Sequence, residues 1–146
     1  MHEQEKAAFH EAAHIVTFIY LGELDTSVTV EIGNDYGVVR MFRPGNEFKL
    51  LIGICAGHCG EEKTPMETWR HSSDYGEALK VAMKVSGDDK QAAHLLMLWA
   101  QRRAEMIVEK CWPEIYALAF KLLESVTQDG IARLSGKEIQ AALDAA

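Results

Sequence analysis

The period of the hydrophobic positions changes along the chain, and each change marks an element. Ala7, Ala8, Phe9, Ala12, Ala13, Ile15, Val16, Phe18 and Ile19 leave almost no polar side on their segment, which predicts a helix running through a core. Gly22 is its expected stop. The pattern then alternates, with Val28, Val30 and Ile32 on one face and Thr29 and Glu31 on the other, as in a half-buried strand. Gly33-Asn34-Asp35-Tyr36-Gly37 supplies hairpin turn residues. Val38, Val39, Met41 and Phe42 follow as a second strand closed by Pro44-Gly45.

Helical spacing returns from Glu47 to about Glu62 through Phe48, Leu51, Ile52, Ile54, Cys55 and Cys59. Ala56, Gly57 and Gly60 suggest close helix packing there, and Pro65 marks the exit. Ser72-Ser73-Asp74 opens another helix through Ala78, Leu79, Val81, Ala82 and Val85, which Gly87-Asp88-Asp89 ends. The run from Gln91 to about Leu123 is amphipathic, with Leu95, Leu98, Trp99, Ile107, Val108, Ile115, Leu118, Ala119 and Leu122 as its apolar face and a kink or break expected at Pro113. Gln128-Asp129-Gly130 is a turn. Ser135-Gly136-Lys137-Glu138 matches a capping box for a last short helix through Ile139, Ala142 and Leu143.

Composition adds limits. At 146 residues the chain is expected to form a single domain over 1–146, large enough to bury a core without staples. A formal net charge of -7 and the lack of a basic stripe argue against a nucleic-acid surface. No signal peptide and no run of about 20 apolar residues is seen, so no membrane segment is expected. Cys55, Cys59 and Cys111 are odd in number and lack a framework spacing, which suits a reducing cytoplasm.

The chemistry concentrates in the first helix, at His10-Glu11-Ala12-Ala13-His14. At about 100° per residue, His14 falls roughly 40° from His10 one turn on, so both imidazoles can reach one metal ion. Glu11 falls about 60° from His14, which places a carboxylate beside that ion as a base rather than a necessary ligand. Two histidines and a glutamate in so apolar a segment are expensive to bury alone, and a bound cation satisfies all three. A zinc hydrolase needs this arrangement. Together with the periodicities above, it gives the expected fold as α+β, mainly α: a zincin-like HExxH helix, a small antiparallel hairpin or sheet, then a bundle of helices.

Catalytic zinc usually takes three protein ligands, and a metzincin would place glycine and histidine where this chain has Thr17 and Tyr20. His58, Glu61, Glu62, His71, Asp74 and Glu77 are all candidates for the third ligand, and spacing does not choose among them. Several blocks carry a resemblance. They are His10 to His14, Tyr36-Gly37-Val38-Val39-Arg40-Met41-Phe42-Arg43-Pro44, Cys55-Ala56-Gly57-His58-Cys59-Gly60-Glu61-Glu62, and Ser73-Asp74 with Ala78. In order and approximate spacing they resemble the peptidase domain of the FtsH family of ATP-dependent zinc proteases. The later helices resemble that family's C-terminal part more weakly. The resemblance implies one zinc ion held by His10, His14 and Asp74, with Glu11 as general base; if the strand from Val38 to Phe42 is an open sheet edge, a substrate adding along it would be an extended or unfolded polypeptide. Ala13 stands where the family usually has glycine, and His71 is foreign to its pattern. The chain is expected to lack an ATPase module of its own, so a separate ATPase and an oligomer enter as partners.

Simpler readings exist for several of these residues. Asp74 with Glu77 also reads as an N-cap pair, and Glu61 and Glu62 as a solvated helix end or as groups orienting a zinc histidine. Cys55 and Cys59 read as buried small thiols on a packed helix rather than as a second metal site with His58; Trp69, Trp99 and Trp112 read as core or interface, and His2 and His94 as surface. The functional expectation is a zinc endopeptidase; the rival is a non-catalytic metal-binding module that uses the same groove to bind protein partners.

Overall fold

A computed structural model of the protein describes residues 2–61, 69 and 72–146. The apolar opening segment is helix α1 (Glu3–Tyr20), in which every residue from Glu11 to Phe18 is buried. A helix without a solvent face over two turns has to be enclosed. Helix α2 (Glu47–Glu61), helix α5 (Trp112–Glu124) and the sheet do this. Gly22 follows the C-cap Leu21 at φ 75°, a left-handed conformation that glycine adopts without a Cβ penalty.

Strands β1 (Thr29–Ile32) and β2 (Gly37–Arg40) form the expected hairpin, with Thr29 opposite Arg40 and Ile32 opposite Gly37. Val30 and Ile32 are buried and Thr29 is exposed, as the alternation requires. Strand β2 stops at Arg40, short of the expected Met41 and Phe42. Its partner begins at Thr29, so the ladder has nothing further to pair with, and Phe42 is 75% exposed. A third strand, β3 (Ala132–Leu134), is absent from the sequence expectation because three residues cannot display a period. It pairs antiparallel with the other edge of β1, giving the order β2-β1-β3.

The remaining helices are α3 (Ser73–Val85), α4 (Lys90–Lys110) and α6 (Gly136–Asp144), so the protein is α+β and mainly helical. The run expected from Gln91 to Leu123 is two helices broken at Cys111, with Pro113 in the first turn of α5, where its missing N–H has no helical partner to lose. The capping box at Ser135 and Glu138 is present. The N-cap of α3 is Ser72, whose hydroxyl accepts from the Tyr75 N–H at 3.1 Å, so Asp74 is not the cap and its side chain is free for other work.

The expected apolar face of α4 needs correction. Leu95, Leu98 and Trp99 are 66%, 43% and 43% exposed, whereas Ala93, Met97, Ala100, Ala104 and Ile107 are buried. Small residues let α4 approach α2 and α3 closely, and that closeness turns its largest side chains outward. Trp69 is buried and Trp112 is 39% exposed. Among the described residues no helix is long and apolar enough to cross a membrane. The expected helix exit at Pro65, together with Glu62 and His71, lies outside the described residues.

Candidate metal centre

Helix α1 presents His10 and His14 from consecutive turns, and the first turn of α3 brings Asp74 to both. His10 Nε2 lies 2.7 Å from Asp74 Oδ2. His14 Nε2 lies 3.0 Å from the same oxygen and 3.1 Å from His10 Nε2. Ligands at about 2.0 to 2.1 Å around a tetrahedral zinc stand roughly 3.3 Å apart, so this triangle is a slightly contracted form of the one a single ion imposes.

The outer nitrogens of both rings are committed elsewhere. His14 Nδ1 is 2.8 Å from the Gly53 carbonyl, to which it donates, and His10 Nδ1 faces Glu61 Oε2 at 3.3 Å. Each contact leaves Nε2 directed at the triangle, which is how an outer partner sets the tautomer of a ligating histidine. A Cβ on Gly57 would stand 2.5 Å from Nε2 of both histidines. The donor set therefore occupies space that only a glycine on α2 leaves open. Two imidazole nitrogens and a carboxylate oxygen in such a cradle fit a zinc ion.

Electrostatics follow from the same crowding. Burial opposes a charge on His10, but Asp74 and Glu61 outweigh it and push the group up to about 10. His14 is also raised, because Asp74 overcomes the burial. Burial works against the Asp74 carboxylate too, yet His14 and His10 hold it well below the usual range. Glu61 is brought down to about 2, its contacts with His10 and His58 outweighing burial. Protons and a divalent cation compete for these lone pairs.

Glu11 is 7% exposed. Burial raises its carboxyl above the ordinary value, and His14 and His10 offset part of the rise. A Cβ on Gly37 would come within 2.6 Å of its Cγ, so β2 begins on a residue that leaves room for this side chain. A cleft of about 380 Å³ runs past Glu11, His14 and Asp74, between Val38 and Val39 of β2 and the apolar Leu50 and Ile54 of α2.

The structure thus brings together His10, Glu11, His14 and Asp74, and adds Glu61 behind His10. Glu77 stands instead at the cleft wall, 3.5 Å from Arg43. Cys55, Cys59 and Cys111 are free thiols; Cys55 is buried, and Cys59, half-buried, is pushed up to about 12 chiefly by burial. Among the described residues no cysteine joins a metal-binding cluster. His2 and His94 are exposed. Sequence reasoning missed the Gly53 carbonyl and the specific role of Gly57; the run of small residues on α2 was the available signal. No protein-family model matches the chain, and no curated protein is significantly similar to it.

Proposed function

We propose that the protein is a zinc-dependent endopeptidase that hydrolyses extended or unfolded polypeptide, with Glu11 as the general base. The observation that carries this reading is the convergence of His10 Nε2, His14 Nε2 and Asp74 Oδ2 within 3.1 Å of one another, with a buried glutamate on the same cleft. Those three atoms would hold the ion, with Gly53 and Glu61 fixing the planes of the two rings. Zinc held there would supply Lewis acidity toward a carbonyl oxygen and lower the pKa of a water towards neutrality.

The remaining steps belong to the protein. Glu11 takes a proton from the attacking water onto its carboxylate as the water oxygen bonds to the scissile carbonyl carbon. When the C–N bond breaks, Glu11 returns that proton to the leaving nitrogen, a role that rests on its hydrogen-bond reach within the cleft. Among the described residues β2 pairs only with β1, which leaves its other edge open, and Val38 and Val39 line the cleft. A peptide adding along that edge would be read through its main chain, which selects extended segments over particular side chains.

The resemblance to FtsH-family peptidases supports the same assignment. Three free cysteines agree with a reducing cytoplasm. The test is Glu11→Gln. Zinc uptake should persist while cleavage of unfolded casein falls by about 10² to 10⁴-fold. A variant that cuts at the normal rate would refute the mechanism. Pure, zinc-loaded wild type that cuts nothing would favour the binding module.

A further inference from the structure

A second chain of contacts starts at the metal centre and returns to it. Glu61 Oε2 lies 3.3 Å from His10 Nδ1 and 3.1 Å from His58 Nδ1, so one carboxylate oxygen serves two imidazoles. The rings of His10 and His58 meet edge to face at 4.8 Å. On its other side His58 stacks on Trp69, with centroids 4.7 Å apart and planes at 24°. Trp69 is 3% exposed and meets Tyr75 edge-on at 5.5 Å. Its carbonyl also accepts from the N–H of Ser72, the N-cap of α3, at 2.9 Å. Tyr75 is the residue after Asp74. The path therefore leaves one ligand on α1 and arrives beside another on α3.

A glutamate in the last turn of a helix has several open rotamers, so holding its carboxylate against His10 costs side-chain entropy that a second contact offsets. His58, three residues earlier on the same helix, offers a donor on a ring that Trp69 already holds flat. We propose that His58 is a positioning residue for the metal centre: it fixes Glu61 against His10 and, through its stack on Trp69, ties that carboxylate to the turn that delivers Asp74. This role rests on the zinc reading above, and it concerns the accuracy of the site rather than the hydrolytic step. The group His10, His58 and Glu61 also has the makings of a cation site of its own. Occupying it along with the first would require His10 to bind through both nitrogens and give up its last ring proton, so one ion per chain is expected.

The test is zinc affinity of the full chain, measured by competition with a chelator for wild type, His58→Leu and His58→Asn. The asparagine amide nitrogen can take the place of Nδ1. His58→Leu should weaken zinc by about tenfold, within the range for outer partners of metal ligands, and His58→Asn should recover most of that loss. Wild-type affinity in His58→Leu overturns the proposal and leaves the metal reading standing. Wild type that binds no zinc overturns both, and two ions per chain overturn the proposal. Because leucine lacks the flat ring that stacks on Trp69, the tautomers of the zinc-loaded wild type give a second measurement. Ring-nitrogen NMR shifts should show His10 and His58 both protonated at Nδ1, and a His58 protonated only at Nε2 overturns the proposal whatever the variants do.

Discussion

Helices α1 and α4 are both long and rich in apolar residues, yet they spend those residues in opposite ways. Along α1 the stretch from Glu11 to Phe18 is buried regardless of size or polarity. Along α4 the inner face is Ala93, Met97, Ala100 and Ala104, while Leu95, Leu98 and Trp99 lie outside. The cause is what each helix must approach. Helix α1 has neighbours on several sides and carries its chemistry inward; α4 lies against α2 and α3 through a face made mostly of alanines, with Met97 among them.

The contrast can be broken by adding carbon atoms at the metal centre or on the inner face of α4. Gly57→Ala places a Cβ in the triangle between His10 and His14, and zinc affinity should fall by more than the ~100-fold limit typical of outer partners. Retained affinity, read by chelator competition, would show that the rings have other room. The next effect is one of pH. His10 is raised from 6.5 to about 10, so its contribution to the zinc-stripped fold is complete below pH 6.5 and is lost as the pH climbs towards 10. Thermal melts of chelator-treated protein should weaken across that window. Zinc must displace the same proton, so its affinity should gain about tenfold per pH unit there, and a flat profile would contradict the proton–metal competition.

On α4 the effects are smaller and purely structural. Ala104→Leu should cost about 1 to 3 kcal/mol in denaturant melts, because the interior has no space for the added carbons. Leu95→Ser, at a side chain 66% exposed, should move stability by less than about 0.5 kcal/mol. A larger loss for Leu95→Ser than for Ala104→Leu would reverse the assignment of faces.

Legibility in the sequence followed the same division. His10, Glu11 and His14 could be read because their spacing and their apolar setting belong to one helix. Asp74 could not be chosen from residues alone: His14 and Asp74 are 60 positions apart, and only the resemblance singled it out. Locally it looked like a cap, a role that Ser72 fills. The hairpin was legible from alternation and turn residues. Strand β3 was not, because its evidence is a partner about a hundred positions away rather than anything in Ala132 to Leu134. Gly57 was visible as a packing residue but not as the floor of a site, since its meaning comes from another helix.

Strand β3 also bears on the order of assembly. The contact from Arg133 to Glu31 closes a loop of 102 residues, so the middle strand acquires its second neighbour only after most of the chain has been synthesised. Until then the hairpin has two unpaired borders instead of one, and a lone two-stranded ribbon is marginal in water. A nascent chain on the ribosome would thus hold its histidine pair before the sheet has its third strand. Maturation of the groove would come late, once the donor set has already been made.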